Sequence, residues 1–586
     1  MRSPTRHLTR LLSQYSLISV LLVILGITLI YPIFLTVRGA FIVHTDSGDR
    51  YTLTNFVLIF EDPALVRGFL NSLMVAGAST FLSVLLALPL AIIAAKYKYP
   101  FKSVFNSFIL VPLILPPFVG AIGMAALLGR EGAINSLLGT DFDFLGRAKF
   151  WGVALVNALH LYPVIYLNAT AALANLDPAL EEAADNLGAG PWRRFFKITL
   201  PLIRPGLFAG ATIVFIFALT EIGTPLAFDY NQVTPVQIFV KLKAVEASAE
   251  PYALTVAMLL LALIIYTLGK FVFGRKGYAM YSKASRAGGE QTLGPIAGWI
   301  ATAAFLVVTV LAMLPHIGVV LTALAAPGSW YQTVLPSTFT LSNFDQALTH
   351  PEAFNSIVTS LKLASASVVL NMSIGLLVAY VIVRTNVRGR GLLDALCMLP
   401  LAVPGLVIAF GYVAMTLSWP FKGDLNLLGL HIPALFPWVT IFGSDPNPFP
   451  LLIIVYAVRR LPYVVRSAVS GLEQTSGELE EAAMNLGASR VTAVRKVILP
   501  LIAANLIAGG LLAFSFAMLA VSEPLVMAQS PQDFPITSAI YAFLTRMGDG
   551  PHIASAMGVW GMALLTVTLV GASVLLGKKL GSIFRV

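Results

Sequence analysis

Long apolar stretches recur along almost the whole chain, and they limit the possible fold more than any other feature. A helix needs about 20 mostly apolar residues to cross a bilayer, and none of these stretches shows the alternation of a membrane β-strand. The sequence therefore predicts an all-α integral membrane protein with about twelve transmembrane helices. The predicted spans are approximately 15–38, 69–95, 104–128, 150–173, 203–228, 253–273, 296–325, 355–383, 391–418, 450–470, 501–528 and 555–577.

The composition supports the same class of protein. Of the 586 residues, 57% are hydrophobic and only 11% are charged, whereas a soluble domain is about 25% charged. The single cysteine, Cys397, excludes an intrachain disulfide and a thiolate metal cluster. The basic N-terminus precedes an apolar core that is long for a signal peptide, which predicts a retained first span, with a cleaved signal as the alternative.

The distribution of Lys and Arg predicts the orientation in the membrane. If the N-terminus is cytoplasmic and the spans alternate, 24 basic residues fall on the cytoplasmic side and 10 on the other, leaving aside Arg459, Arg460 and Arg466 within the tenth predicted span. Cytoplasmic loops of membrane proteins carry this excess. We therefore expect both termini in the cytoplasm, and we attribute the net charge of +10 to topology rather than to nucleic-acid binding.

Two charged segments reveal an internal duplication. EEAADNLGAGPWRRFFKITLPLI (181–203) and EEAAMNLGASRVTAVRKVILPLI (480–502) are identical at 13 of 23 positions without a gap. Weaker sequence similarity relates RGFLNSLMVAGAS (67–79) to EAFNSIVTSLKLAS (352–365), and VPLILPPFVG (111–120) to LPLAVPGLVI (399–408). The duplication predicts two similar halves, each with one copy of the charged loop on the cytoplasmic side.

The duplication also predicts the domain organisation. We expect a first six-span domain at 1–280, a cytoplasmic linker at 281–295 and a second six-span domain at 296–586. An even number of spans gives both halves the same orientation, so their pseudo-two-fold axis runs along the membrane normal. Inverted-repeat transporters instead use an axis in the membrane plane.

Each charged loop has the pattern of a short amphipathic helix. In the first copy Asp177 can cap the helix, Pro178 suits its first turn, and Gly188 can end it. In the second copy Ser476 and Gly487 take the corresponding positions. The apolar residues recur at i, i+3, i+4 and i+7, which places them on one helix face. They are Leu180, Ala183, Ala184 and Leu187 in the first copy, and Leu479, Ala482, Ala483 and Leu486 in the second.

These loops resemble the EAA motif of the permeases of ABC importers. That motif has Glu-Ala-Ala, three residues, Gly, nine residues, Ile, one residue and Leu-Pro. The first loop follows it from Glu182 to Pro201, and the second follows it from Glu481 to Pro500 with Val497 in place of Ile. The resemblance covers nearly the whole chain and implies two permease domains of the type I fold fused in tandem, in a bacterial inner membrane.

The resemblance implies that each loop docks on a cytosolic ATPase and transmits its closure. Two loops imply two copies of the ATPase subunit, and the family also implies an extracytoplasmic solute-binding protein. Surface helices at the membrane edge are the alternative interpretation of the loops. The implied coupling residues are Glu181, Glu182, Ala183, Ala184 and Gly188, with Glu480, Glu481, Ala482, Ala483 and Gly487.

A phosphate-binding loop for ATP hydrolysis, GxxxxGK[ST], is missing from the sequence. The only Gly-Lys pairs are Gly269–Lys270 and Gly577–Lys578, and neither has the leading Gly or the trailing Ser or Thr. We therefore expect a transport subunit rather than an enzyme, with no cofactor or metal of its own. ATP and magnesium would bind to the partner subunits.

Two acidic residues and several prolines fall within predicted spans. Glu221 and Glu523 lie in the spans that follow the two loops, and ionisable residues in spans often mark a transport pathway. The alternative is that water reaches them at the outer helix ends. Prolines remove a helical hydrogen bond and predict either a hinge or gate or a static kink. They are Pro112, Pro116 and Pro117 in the first half, and Pro400 and Pro404 in the second.

The predicted function is that of a permease which moves a solute by alternating access, driven by ATPases acting on the two loops. Fused tandem permeases resemble the ferric-iron branch most, so ferric iron is the expected substrate, with thiamine, a phosphonate or a polyamine as alternatives. An ion-coupled secondary transporter, or a membrane scaffold or channel, is the alternative from another class.

Overall fold

A computed structural model describes residues 4–45, 48–146, 149–174, 176–243, 250–273, 291–427, 430–443 and 445–576. We call the residues up to 273 the first half and those from 291 the second half. The first-half helices are α1 (Pro4–Leu25), α2 (Tyr31–Ala40), α3 (Thr54–Glu61), α4 (Pro63–Lys96), α5 (Lys102–Phe108), α6 (Pro117–Leu128), α7 (Ala133–Leu138), α8 (Phe150–Ala174), α9 (Pro178–Asn186), α10 (Pro191–Arg194), α11 (Leu200–Thr220), α12 (Gly223–Ala227), α13 (Thr234–Lys243) and α14 (Glu250–Phe273).

The second half repeats most of this order of helices. Its members are α15 (Pro295–Leu324), α16 (Ser342–Thr349), α17 (Pro351–Arg384), α18 (Arg390–Ala402), α19 (Gly405–Thr416), α20 (Phe449–Glu473), α21 (Glu478–Asn485), α22 (Arg490–Ala493), α23 (Leu499–Met518), α24 (Ser522–Met527), α25 (Ile536–Leu544) and α26 (Gly550–Leu576). Segments of π-helix at Gly26–Ile30, Phe195–Thr199 and Val494–Ile498 join α1 to α2, α10 to α11 and α22 to α23.

Strands are few and short in the part of the chain that the structure describes. They are β1 (Ile42–Thr45), β2 (Gly48–Tyr51), β3 (Tyr97–Lys98), β4 (Gln291–Thr292), β5 (Leu425–Leu427) and β6 (Leu430–Ile432). β1 pairs with β2 and β5 with β6, both antiparallel, whereas β3 and β4 are parallel. The predicted all-α membrane fold with tandem halves is therefore confirmed.

All twelve predicted spans are helical. Among the described residues nine helices are long and apolar enough to cross a membrane, and two further spans are pairs of helices with a sharp bend. The remaining span, α20, carries Arg459, Arg460 and Arg466 but occupies the same place in its half as α8 does in the first. The count of six spans in each half follows.

The third and ninth spans differ from their prediction as single helices. α5 and the short segment Val111–Ile114 meet α6 at 98°, and α18 meets α19 at 104°. The chain is extended at Leu115–Pro116 and at Val403–Pro404, because a proline disfavours the helical conformation of the residue before it. Pro116 and Pro404 therefore mark near right-angled breaks rather than kinks, and their role as hinges or gates stays a prediction.

Two hydrogen bonds show which serines of the long helices α4 and α17 are equivalent. Buried Ser72 on α4 accepts a hydrogen bond from Thr234 N at the start of α13, at 2.9 Å. Buried Ser360 on α17 accepts one from Ile536 N at the start of α25, at 2.7 Å. Ser72 and Ser360 therefore hold equivalent places in the two halves.

The first span of each half packs against the opposite half. α2 and the π-helical segment before it lie on α19, where Tyr412 OH donates to Thr28 O at 2.6 Å and Thr36 Oγ1 donates to Val407 O at 3.3 Å. α15 in turn lies on α6, where Gly123 and Gly318 bring the two backbones together. This reciprocal exchange ties the halves into one bundle.

The start of the second half is also fixed to the first. β4 pairs with β3 in the loop between α4 and α5, and Thr302 Oγ1 donates to Pro100 O at 3.0 Å. Tyr99 stacks on Phe305 with ring centroids 4.9 Å apart. Most of the predicted linker, up to residue 290, lies outside the described residues, and the predicted domain boundaries stay predictions.

Candidate functional site

The two charged loops fold into short helices, α9 and α21, as their pattern predicts. Asp177 Oδ1 accepts from Ala179 N at 3.0 Å and caps α9, and Ser476 Oγ accepts from Glu478 N at 3.2 Å before α21. Both helices end just before a glycine with positive φ, +76° at Gly188 and +91° at Gly487. A left-handed residue at this point is a common helix stop, and glycine adopts it without strain.

The first glutamate of α9 faces its own half of the protein. Glu181 accepts hydrogen bonds from Lys96 Nζ, at 2.5 and 2.7 Å, and from Thr199 Oγ1, at 2.5 Å. Burial alone would raise the pKa of Glu181, but these hydrogen bonds outweigh it and hold the pKa below its ordinary value. Glu181 thereby joins α9 to the end of α4 and to the start of α11.

The second loop is anchored at the same position by different partners. Glu480 is buried and accepts from Tyr380 OH at 2.5 Å, with Arg490 Nε at 3.7 Å. Arg384, which ends α17 as Lys96 ends α4, donates instead to Leu472 O and Thr475 O, at 3.0 and 2.6 Å. Each loop helix is thus fastened to the long helix of its own half.

The opposite faces of the loop helices are open to solvent. Leu187 is 88% exposed and Leu486 is 90% exposed. Of the residues implied as coupling residues, Glu182, Ala183, Gly188, Glu481, Ala482 and Gly487 are exposed, Ala483 is half-buried and Ala184 is buried. We call the exposed apolar side chains of the two loops, where the resemblance implies docking, the docking surface. They are Leu180, Leu187 and Trp192, with Leu479, Leu486 and Val491.

Removing the charge of Glu181 is expected to release α9 at neutral pH. In Glu181→Gln, amide hydrogen exchange in α9 should be at least about tenfold faster than in the wild type, because a hydrogen bond to a charged group contributes about 1.5–3 kcal/mol and a tenfold change corresponds to about 1.4 kcal/mol. Because the folded pKa is depressed, the stabilisation is complete above the ordinary carboxyl pKa of about 4.3 and disappears as the pH falls through the lower folded value.

The wild type should therefore approach the exchange rate of Glu181→Gln on acidification below about pH 4. Glu182→Gln is the matched control, because Glu182 is exposed on the same helix, and its exchange rate should stay near that of the wild type. Equal exchange of wild type and Glu181→Gln at pH 7 would contradict this anchoring role.

The two halves meet where the chain leaves the spans that follow the loops. A Cβ on Gly223, the first residue of α12, would lie 3.0 Å from Val521, which directly precedes α24. Phe239 on α13 and Tyr541 on α25 also face each other, with centroids 6.2 Å apart. Because these segments hold corresponding places in the two halves, the contact marks the pseudo-two-fold axis.

Glu221 lies at this contact and caps α12. Its carboxylate accepts from Gly223 N at 2.9 Å and from Thr224 N at 2.8 Å, which satisfies amides at the start of the helix. This local role accounts for an acidic residue within a span. A contribution of Glu221 to the transport pathway stays a prediction.

Glu523 lies two residues beyond the contact and is only 2% exposed. Its Oε1 accepts from Arg459 Nε at 3.0 Å and from Arg460 Nη1 at 2.9 Å. The two arginines lie midway along α20, within the tenth predicted span. They escaped notice as site residues, although charges in the middle of an apolar span were a usable sign.

In the described part of the chain, no group of three or more His, Cys, Asp or Glu side chains could hold a metal ion. The candidate functional features are therefore the two loop helices, the contact between the halves and the charged cluster around Glu523. Together with the duplicated bundle, they define a membrane transport subunit whose two halves meet at an axis and present one loop helix each.

Comparison with known proteins places this subunit in a family. The chain belongs to the family described as "Binding-protein-dependent transport system inner membrane component", whose model matches residues 87–276 and 371–580. The chain is thus a multi-pass inner-membrane protein with the role of an ABC importer permease, a transport component. The resemblance drawn from the loops is confirmed.

Similar proteins match either most of the chain or a part of it. It is 27% identical to the ferric transport system permease protein FbpB of Actinobacillus pleuropneumoniae, over 92% of this chain and 76% of that protein. It is 32% identical to the molybdenum transport system permease protein ModB of Haemophilus influenzae, over 35% of this chain and 91% of that protein. A crystal structure of a bacterial alginate-importing ABC transporter matches with 20% identity and a TM-score of 0.36, over 47% of this chain and all of that one.

Proposed function

We propose that this permease imports ferric iron, delivered by an extracytoplasmic binding protein and driven by two cytosolic ATPase subunits. The observation that carries the transport mechanism is the pair of equivalent loop helices, each anchored inward by a glutamate and each exposing a leucine by about nine-tenths. Iron is favoured because two relatives that match more than four-fifths of the chain are ferric transport permeases, one of them a putative one.

The geometry supplies a mechanical route from the docking surface to the contact between the halves. Pro191–Thr220 is a continuous helical segment of 30 residues, about 45 Å long at the rise of an α-helix. It begins beside α9 and ends at Glu221. The corresponding segment of the second half, Arg490–Met518, leads from α21 toward Glu523. Movement of either loop helix is therefore transmitted along this helical segment to the contact between the halves.

Alternating access follows if the ATPases draw α9 and α21 together. Glu181 couples α9 to Lys96 on α4 and to Thr199, which directly precedes α11. When α9 moves, α4 and α11 therefore move with it. At the far end, Gly223 and Val521 separate or close. With both loops and both termini on the cytoplasmic side, ATP and magnesium would act entirely on the partner subunits.

The proposal is tested by purifying the tagged chain from its native membrane in mild detergent. An ATPase subunit with a phosphate-binding loop should co-purify in a ratio of about two per permease. Recovery of the permease without any ATPase would contradict the coupling, whatever the substrate.

The substrate is tested separately with the cognate binding protein. Cells that express the transporter should accumulate radioactive iron supplied as ferric citrate, and a chain with Gly188 and Gly487 both replaced by Val should not. Valine at these left-handed positions strains each loop by about 1–2 kcal/mol. ATP-driven uptake of another solute but not of iron would retain the permease role and reject the iron assignment.

A further inference from the structure

The charged cluster Arg459–Glu523–Arg460 contains more positive than negative charge. Both arginines pair with the same carboxylate oxygen, Oε1 of Glu523. The side chains of Glu523 and Arg460 are 2% and 8% exposed, whereas that of Arg459 is 19% exposed. A charge buried at this depth in a membrane protein is costly unless it is paired. The surplus positive charge therefore requires an explanation.

The remaining hydrogen bonds of the arginines are to the backbone. Arg459 Nη1 donates to Val403 O at 2.9 Å, at the break between α18 and α19. Arg460 Nη2 donates to Phe516 O at 3.1 Å, and its guanidinium lies 4.9 Å from the Tyr456 ring centroid. These contacts hold both guanidinium groups in place but bring no second negative charge to the cluster.

The first half shows that the fold does not need this charge. By the loop register, His160 corresponds to Arg459, Leu161 to Arg460 and Thr224 to Glu523. His160 Nδ1 contacts Pro112 O at 2.8 Å. A single imidazole therefore contacts the backbone near the break in the first half. The cluster is thus an addition specific to the second half rather than a requirement of the broken span.

The cluster also lies beside the contact between the halves. Glu523 is two residues from Val521, which faces Gly223 of the first half. Arg459 is the most exposed member of the cluster and lies against Gly405 at the start of α19. A group moving between the halves would therefore pass close to a guanidinium that is held in position and only partly neutralised.

We propose that Arg459 and Arg460 bind a negatively charged oxygen group of the cargo, which replaces Glu523 as their partner. The planar guanidinium matches carboxylate and phosphate oxygens, whereas the surplus charge repels a bare cation. The proposal rests on the proposed import function and deepens it: ferric iron crosses as a complex with anionic oxygen ligands, not as free Fe³⁺.

The binding test uses purified full-length permease in nanodiscs and compares thermal stability in phosphate, citrate and chloride at equal ionic strength. Phosphate or citrate should raise the Tm of the wild type by about 2 °C relative to chloride. Glu523→Gln should show a larger rise, because the competing carboxylate is gone. Equal Tm values in all three salts, for wild type and Glu523→Gln alike, would overturn the proposal.

Arg459→Gln separates binding from structure, because it leaves Arg460 and Glu523 as a neutral pair. It should fold at least as stably as the wild type in chloride, since the unbalanced charge is gone, but lose the response to phosphate and citrate. Lys362→Gln is the matched control, because Lys362 also lies within a span, and it should keep the response. An undiminished response in Arg459→Gln would overturn the proposal.

Uptake distinguishes this proposal from the assignment of iron. With ferric citrate supplied to cells, Arg459→Gln should lower iron uptake at least tenfold, the equivalent of about 1.4 kcal/mol, while Lys362→Gln should not. If the wild type transports no iron but retains the anion response, the iron assignment fails and the anion site stands. If Arg459→Gln took up iron at the wild-type rate, the proposed anion site would be rejected.

Discussion

Replacement of both Leu187 and Leu486 by aspartate is expected to lower ATP-driven uptake by at least about 100-fold, with the permease still folded. Each leucine is about nine-tenths exposed, so the substitution disturbs no internal packing. In a docked complex each would be buried against a partner, and burial of a leucine is worth about 1.5–3 kcal/mol. The loss of two such contacts corresponds to at least a 100-fold weakening at about 1.4 kcal/mol per tenfold.

The measurement compares solute uptake in cells with the amount of ATPase that co-purifies with the permease. Leu137→Asp combined with Leu335→Asp is the matched control, because these leucines are 66% and 56% exposed and lie outside α9 and α21, in α7 and between α15 and α16. The control should keep both uptake and ATPase. Each single loop variant should show an intermediate loss, because one docked loop remains. Undiminished recovery of the ATPase with the double loop variant would place the docking surface elsewhere.

The sequence predicted the parts of this protein that depend on local pattern. Hydropathy located all twelve spans, and the duplicated loop predicted α9 and α21 with their stops at Gly188 and Gly487. These features follow from apolar periodicity and from the backbone freedom of glycine, both of which can be recognised within a few residues. The same applies to the family, whose motif lies within the loops.

Tertiary relations were beyond the reach of such patterns. Pro116 and Pro404 predict a disturbed helix, but the angle of the break depends on the neighbours that pack against it. The exchange of α2 and α15 between the halves joins residues as distant as Thr28 and Tyr412. Hydropathy cannot predict this contact, because an apolar helix has the same hydropathy whichever half it packs against.

Glu221 and Glu523 illustrate the same limit at the level of single residues. The sequence gives both the same description, an acid within an apolar span. The structure separates them, because Glu221 caps α12 through backbone amides whereas Glu523 pairs with two arginines. Which partner reaches a buried carboxylate depends on helix packing, so the chemical difference becomes visible only in three dimensions.

Replacement of Gly123 or Gly411 by alanine is expected to destabilise the contact between the halves by about 3 kcal/mol, the upper end of the usual effect of overpacking. A Cβ on Gly123 would lie 2.4 Å from Pro315 O and 2.5 Å from Val319 N on α15. A Cβ on Gly411 would lie 2.3 Å from Pro32 O on α2. The obstructing atoms belong to the backbone of a helix and cannot move aside as a side chain could.

Thermal unfolding followed by size-exclusion chromatography should show a lower Tm for each variant and little folded protein for the double variant. Gly77→Ala is the matched control, since Gly77 lies within α4 and its added Cβ would meet nothing within 4 Å. Alanine favours a helix over glycine by about 1 kcal/mol, so this control should be unchanged or slightly more stable.

Cutting the chain within residues 281–290 and co-expressing the two pieces distinguishes loss of the contact from loss of the fold. Because α2 and α15 each pack on the opposite half, the wild-type pieces should co-purify through these crossings. Pieces with alanine at both Gly123 and Gly411 should separate while each retains its helical content. Co-purification that is unaffected by both substitutions would mean that the backbone crossings are not what holds the halves together.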